Sequence, residues 1–306
     1  MSVIILENLS KTYKGVAAIT DVNLVVDEGE IFGFIGPNGA GKSTTIRLML
    51  DFIRPTSGKA ILLGMDAQKQ SKEIKKAVAY VSSDVRFYNQ MTTAELVQYS
   101  AQFHKLSLKK ADYDYYYELF EIEPHKKMHE LSLGNKKKVS LMAGLLTKPK
   151  LIILDEPSSG LDPLIAHRLF EELKSQQKNG MGIFLSSHDL HEVEKYCTRA
   201  AFIKNGEILQ VEDIGANRNR GKMLELWGAN IDVSALEQKG AHIIERTAKN
   251  VKLTYPGDMQ KIMPLLAKLE LEDININNQQ LEDKFLALYE HSEKKEKKGG
   301  YENGVI

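Results

Sequence analysis

Apolar and polar positions fall into contrasting stretches along the 306-residue chain. Residues 3–35 alternate short apolar runs with tight turns and read as strands; Asp27-Glu28-Gly29-Glu30 predicts a hairpin turn. Ile31 to Ile35 is an unbroken apolar run ending in a glycine-rich loop, and Ser43 to Leu50 follows with helical character. Leu151–Leu154 and Ile183–Leu185 are short, do not alternate and are followed by polar residues, the pattern of buried parallel strands. Between them the sequence predicts a helix: Asp162 suits its N-cap, Pro163 its first turn, Ile165, Leu169 and Leu173 share a face, and Gly180 ends it. Residues 70–148 carry Lys, Tyr and Leu at helical spacing with few turn signals, and predict a mostly helical insert.

A second unit begins near Lys222. Its order is strand (Met223–Trp227), helix (Val233–Lys239), strand (His242–Glu245), strand (Val251–Tyr255), helix (Met259–Leu269), strand (Asp273–Ile276), the βαββαβ order of a ferredoxin-like unit. A helix over Leu281–Tyr289 closes it. The charged, glycine-containing tail from Ser292 onward predicts disorder.

Composition narrows the classes. Hydrophobic residues make up 42% and charged residues 27%, as in ordinary globular proteins. Lys+Arg and Asp+Glu both total 41, so there is no basic excess for a nucleic-acid partner. The single cysteine, Cys197, cannot form an intramolecular disulfide, which fits a reducing compartment. The N-terminus lacks the basic and long apolar regions of a signal peptide, and no stretch is apolar and long enough to span a bilayer. A membrane role would therefore come through a partner.

The chemistry is concentrated at strand ends. Gly36-Pro37-Asn38-Gly39-Ala40-Gly41-Lys42-Ser43 fits G-x-x-x-x-G-K-[ST]. Glycines let backbone N–H groups curl around phosphate oxygens, and the helix that follows points its positive end at the same anion. Lys42 is expected to reach the β- and γ-phosphates and Ser43 to bind Mg²⁺. Leu151-Ile152-Ile153-Leu154-Asp155-Glu156 delivers two acids to the strand edge where ligands of open α/β sheets bind. Asp155 suits Mg²⁺, and Glu156 suits the attacking water. Ile183-Phe184-Leu185-Ser186-Ser187-His188 repeats the arrangement with a histidine placed to meet the γ-phosphate and that water. A structural histidine is the alternative.

In this order the pieces resemble the nucleotide-binding domain of ATP-binding cassette (ABC) transporters, over residues 3–215. Gly36–Thr44 resembles Walker A, Leu151–Glu156 Walker B, Ser159-Gly160-Leu161-Asp162 the D-loop, and His188 the switch histidine. Leu131-Ser132-Leu133-Gly134-Asn135 resembles the signature motif. The resemblance implies an α/β fold: a P-loop NTPase core with an antiparallel β subdomain and a helical insert at about 85–148, together 1–215. A small α+β domain at 222–290 and a tail at 291–306 follow. It implies ATP and Mg²⁺ as cofactors, and nucleotide contacts from Tyr13, Gly36, Asn38, Gly39, Gly41, Lys42, Ser43, Thr44 and Asp162. Tyr13 would stack on adenine; ordinary strand packing is the alternative. Ser132 and Gly134 would touch the γ-phosphate held by the opposite subunit. Lys136, Lys137 and Lys138 would sit in the first turn of the helix they open. Cations there oppose its dipole unless a phosphate lies nearby; a solvated face is the alternative.

Two features depart from the family pattern. The signature is LSLGN rather than LSGGQ, a variant that looks like those of antibiotic and bacteriocin exporters. Ser83, in Tyr80-Val81-Ser82-Ser83-Asp84, stands where the family carries Gln or Glu near Mg²⁺; Asp84 is the alternative ligand. At the C-terminus, Leu281-Glu282-Asp283-Lys284-Phe285-Leu286 resembles the closing helix of ATPases from drug, peptide and polysaccharide exporters. The expected activity is ATP hydrolysis, with Glu156 and His188 catalytic and Ser43, Asp155 and Ser83 on the metal. The expected place is the cytoplasmic face of the membrane, in a homodimer or a heterodimer with a related ATPase, bound to membrane-spanning permease subunits. An ATP-dependent dimer clamp with little hydrolysis and a soluble non-transport ABC ATPase are the competing readings.

Overall fold

The computed structural model describes residues 1–214 and 221–278, together with Leu281, Glu282, Phe285 and Tyr289. The predicted tail and most of the closing helix lie outside the described residues. The chain divides into two compact units, Met1–Ile214 and Gly215–Ile306.

The first unit opens with β1 (Ser2–Tyr13) and β2 (Val16–Asp27), an antiparallel pair. Lys14 (φ 48°) and Gly15 (φ 86°) turn the chain between them. Two successive positive φ angles give the twist that a two-residue hairpin needs. β4 (Ser57–Leu62) and β5 (Met65–Asp66) extend this sheet in the order β2-β1-β4-β5. The hairpin expected at Asp27–Glu30 is a different connection. It carries the chain out of this sheet to β3 (Ile31–Ile35), which pairs with β8 (Gly182–Ser187) and β9 (Arg199–Lys204) in parallel. A turn signal says that the chain reverses; which sheet receives the next strand is a long-range matter.

The central sheet runs β10-β9-β3-β8-β7-β6, with β6 at Val78–Val81, β7 at Leu151–Asp155 and β10 (Glu207–Asp213) antiparallel to β9. β3 and β7 are buried at every position, because both faces of the sheet are covered. On one face Phe32, Phe34 and Phe184 meet, with ring centroids 5.5–6.1 Å apart. They join Leu6, Val22 and Leu24 of the antiparallel sheet in one core. Each such side chain contributes roughly 1.5–3 kcal/mol on burial. On the other face Gly33 adjoins Val193 and Cys197, and Gly144 adjoins Val81 and Ile152, close approaches that a larger residue would obstruct.

The helices follow the strands. α1 (Lys42–Met49) leaves β3, and α2 (Ser71–Ala77) precedes β6. β6 falls inside the stretch expected to be mostly helical. It is only four residues, Val78-Ala79-Tyr80-Val81, and pairing with β7 rather than local pattern makes it a strand. The insert then supplies α3 (Thr93–Phe103), α4 (Lys110–Phe120) and α5 (Leu133–Leu146). Thr92 and Glu95 form a reciprocal capping box on α3. α4 rests on α6 (Pro163–Lys178) through Glu172, which is buried and accepts from Tyr115 (2.7 Å), Tyr116 (3.0 Å) and Gln176 (2.7 Å). α6 begins and ends as its sequence predicts: Asp162 accepts from the Ile165 N–H (3.0 Å), and Gly180 takes φ 94°. α7 (Leu190–Tyr196) follows β8.

The second unit contains β11 (Lys222–Trp227), α8 (Ser234–Glu237), β12 (His242–Arg246), β13 (Asn250–Tyr255), α9 (Met263–Leu266) and β14 (Asp273–Asn278). Its sheet is antiparallel in the order β12-β13-β11-β14, the ferredoxin-like arrangement. The helix expected over Met259–Leu269 is interrupted. A 3₁₀ turn covers Met259–Lys261 and α9 restarts at Met263, because Pro264 has no N–H to continue the ladder. Leu224, Leu226, Val251, Leu253 and Tyr255 form this unit's core with Leu236 and Leu266.

Candidate nucleotide site

Parallel pairing brings the C-terminal ends of β3, β8, β7 and β6 side by side. The phosphate loop leaves the first, His188 the second, Asp155 and Glu156 the third, and Ser82 and Ser83 the fourth. A cleft of about 650 Å³ lies there, lined among others by Asn38, Gly39, Gly41, Lys42, Ser43, Thr44, Ser83, Asp155, Glu156 and His188. Residues separated by up to about half the chain thus meet because strand order, not sequence order, sets the edge.

The loop is built by its glycines. Gly39 and Gly41 take φ 82° and 110°. A Cβ on Gly41 would lie 2.7 Å from Ile19 Cγ2, and one on Gly36 would lie 2.4 Å from the Ile203 carbonyl oxygen. α1 begins at Gly41 with no side-chain cap and no acid in its first turn, so its N–H groups remain for an anion. The Lys42 ammonium is buried. It donates to the carbonyls of Gly36 (2.6 Å) and Pro37 (3.3 Å) and lies 3.3 Å from Glu156 Oε1.

Asp155 is 2% exposed and its carboxylate accepts three hydrogen bonds. Ser43 Oγ (3.1 Å) and Ser83 Oγ (3.2 Å) donate to Oδ2, and Ser186 Oγ (2.6 Å) donates to Oδ1. A carboxylate and two hydroxyls converging on the cleft are all oxygen donors, the set a hard cation such as Mg²⁺ takes. Asp84 is drawn away from it: its carboxylate accepts from Arg86 Nε (3.0 Å). Glu156 follows in the left-handed region (φ 50°), a conformation costing a non-glycine residue roughly 1–3 kcal/mol. That turn at the end of β7 aims its carboxylate across the cleft, where His188 Nδ1 donates to Oε2 (2.7 Å). An ionised carboxylate can only accept, so this contact places a proton on Nδ1.

The remaining expected residues lie elsewhere. Tyr13 does not line the cleft. It ends β1 45% exposed, with the Lys11 ammonium 5.0 Å from its ring centroid, and Ala17 and Ala18 of β2 form the wall on that side. Ser132, Gly134 and Asp162 also lie off this cleft. Ser132 caps α5 by accepting from the Asn135 N–H (3.2 Å), and Asp162 caps α6. Gly134 packs so tightly that a Cβ would stand 2.4 Å from the Gly160 carbonyl oxygen.

Two of the three lysines follow neither expectation. α5 starts at Leu133, so Lys137 and Lys138 belong to its second turn, and both are buried rather than solvated. Lys138 pairs with Asp162 (3.7 Å), and Lys137 donates to the carbonyls of Ser82 (2.9 Å) and Asp155 (3.0 Å). Burial lowers the Lys137 ammonium to about 8, against the pull of Asp155 and Glu156. Asn205 is a site residue the sequence did not signal, and Ser159 and Ser186 were named only as members of motifs, with no role. Ser159 and Asn205 line the cleft and Ser186 holds Asp155. The dipeptide Asn205-Gly206 signals a hairpin, and it joins β9 to β10 with φ 48° and 84°. Nothing local says that this turn lies beside the phosphate loop.

A glycine-built phosphate loop, a hydroxyl-lined carboxylate and a carboxylate–histidine pair on adjacent parallel strands define a P-loop ATPase. The ABC transporter family profile matches residues 19–159. The chain is 33% identical to the bacitracin transport ATP-binding protein BcrA of Bacillus licheniformis, over 92% of this chain and 95% of that one. It is 30% identical to the ABC transporter ATP-binding protein YcbN of Bacillus subtilis, over 92% and 94% respectively. A solved ATP-binding subunit of an ABC transporter superposes with a TM-score of 0.65 at 31% identity, over 71% of this chain and 92% of that one. The chain belongs to the ATP-binding subunits of ABC transporters. Among its described residues no helix is long and apolar enough to cross a membrane.

Proposed function

We propose that this chain hydrolyses ATP in a dimer to drive export of a drug, peptide or similar cargo through separate membrane-spanning subunits. The observation that carries the chemistry is the placing of Glu156 one residue beyond Asp155, its carboxylate held by His188 at 2.7 Å and by Lys42 at 3.3 Å. The loop glycines and the N-terminus of α1 bind the phosphates of ATP, and Lys42 neutralises them. Ser43, Asp155 and Ser83 would hold Mg²⁺, which when bound neutralises developing charge on the phosphates. Glu156 accepts a proton from the attacking water, and His188 orients that carboxylate. Adenine stacking falls to Tyr13, whose exposed ring is accessible.

Ser132, Gly134 and Asp162 serve the partner subunit's nucleotide in a head-to-tail dimer, homomeric or with a related ATPase; their position off the chain's own cleft supports this. Residues 1–215 form the cassette, 222–290 an accessory domain and 291–306 a tail. The protein acts at the cytoplasmic face of the membrane. Around Phe87 and Met91, both half-buried, Tyr88 is 75% exposed, and on α3 Tyr99 and Phe103 are exposed as well. Exposed aromatics supply the energy of a protein docking surface, here for the membrane partner. The similarity to BcrA, a bacitracin transport ATP-binding protein, supports an antibiotic-like cargo.

Glu156→Gln tests the assignment. It is expected to keep ATP binding, to lower hydrolysis by at least about a hundredfold, and to trap an ATP-bound dimer. Hydrolysis within a few-fold of the parent would remove Glu156 from the mechanism.

A further inference from the structure

Lys137 is 3% exposed and sits on α5, in the helical insert, yet its ammonium reaches two main-chain oxygens of the central sheet's ligand edge. One is the Asp155 carbonyl at the end of β7 (3.0 Å), and the other is the Ser82 carbonyl just past β6 (2.9 Å). The residue after Ser82 is Ser83, whose Oγ donates to Asp155 Oδ2 at 3.2 Å. A serine hydroxyl stands one carbon from the main chain, so this contact requires the backbone of residues 82–83 to lie close against the end of β7. β6 itself stops at Val81, so the ladder does not hold those residues there.

We propose that Lys137 is a positioning residue. Its ammonium bridges Ser82 and Asp155 and holds the segment after β6 against β7, and this approach is what lets a side chain as short as Ser83's take part in the Asp155 site. A long amide side chain at position 83 would span the same gap without the clamp, so the lysine and the serine act as a pair. The buried lysine also ties the helix capped by Ser132 to the catalytic edge of its own subunit. The charge is satisfied by two carbonyls, as a buried ammonium requires. The clamp rests on the proposed assignment of Ser83 to the Mg²⁺ site, and the test separates the two.

The test measures the affinity of full-length variants for ATP with Mg²⁺ and with EDTA, and takes the ratio as the metal-dependent gain. Lys137→Met is expected to leave the EDTA affinity within about twofold of the parent and to cut the gain by about tenfold, equivalent to about 1.4 kcal/mol. Ser83→Ala is expected to cut it similarly. The double variant should lose no more than either single one, because coupled residues are not additive. Ser83→Gln is expected to restore the gain in the Lys137→Met background, which a merely structural lysine would not permit. If Lys137→Met does not fold, Lys137→Gln, which keeps a donor on a shorter stem, takes its place with a smaller loss. An unchanged gain in the lysine variants, additive losses in the double variant, or no rescue by Ser83→Gln would each overturn the clamp. If Ser83→Ala alone leaves the gain intact, the metal assignment of Ser83 fails, and the clamp loses its purpose with it.

Discussion

Four helices of the first unit, α1, α5, α6 and α7, begin differently. α6 and α7 are capped by the carboxylates of Asp162 and Asp189. α5 is capped by the neutral hydroxyl of Ser132, and α1 starts from Gly41 with no side-chain cap. A cap satisfies the free N–H groups of a first turn, and an acidic cap also occupies the positive end of the helix. The acidic caps of α6 and α7 therefore fill the positive ends of those helices. α1 leaves its N–H groups for a ligand, and α5 is intermediate, stabilised by a hydroxyl that can still meet an anion. α2 and α4 also lack a side-chain cap but carry Glu73 and Asp112 in their first turns, so the phosphate site is marked by the joint absence of cap and acid at α1 as well as by the residues present.

The comparison can be broken most severely at α1. Gly41→Val forces a side chain into φ 110° and against Ile19 and Ala18. It is expected to weaken ATP binding by at least about a hundredfold, equivalent to about 2.7 kcal/mol, in titrations with a fluorescent ATP analogue. Circular dichroism would verify the fold. Binding near the parental level would show that the loop does not need its glycine geometry.

At α5 the expected effect is on assembly. Ser132→Arg in the Glu156→Gln background should leave ATP binding by the monomer intact and abolish the ATP-driven dimer seen by sedimentation. A dimer that persists would make Ser132 a structural cap and nothing more. The smallest effect isolates the cap itself. Ser132→Ala removes the hydroxyl that accepts from Asn135, which costs about 1 kcal/mol. It is expected to lower the melting temperature by about 2–4 °C, with unchanged nucleotide affinity of the isolated subunit. No shift in melting temperature would mean that the α5 N–H groups are as free as those of α1.

How much was legible follows from where each signal resides. The phosphate loop, the two acids after β7 and His188 after β8 are each carried by a few consecutive residues, so they could be read one strand at a time. α6 was legible at both ends because Asp162, Pro163 and Gly180 act locally. The metal expectation for Ser83 came from its place in a motif; the structure adds the contact with Asp155. β6 was hidden because four apolar residues become a strand only beside β7. Lys137 was misread because it lies in a run of three lysines that looks solvated. Only the packing of α5 against the sheet turns its side chain inward.

By itself, then, the chain's order of residues determined the periodicities, the caps and turns, the glycines of the loop and the chemical identity of the side chains that line the cleft, because each depends on neighbours within a few positions. The tertiary structure decided which strand ends lie side by side. It decided that Asp27–Glu30 changes sheets, that Asn205 and Ser159 join the cleft, and that Ser43, Ser83 and Ser186 all donate to one carboxylate. Those contacts join residues tens of positions apart, and their partners are selected by strand pairing and burial, which no local pattern encodes.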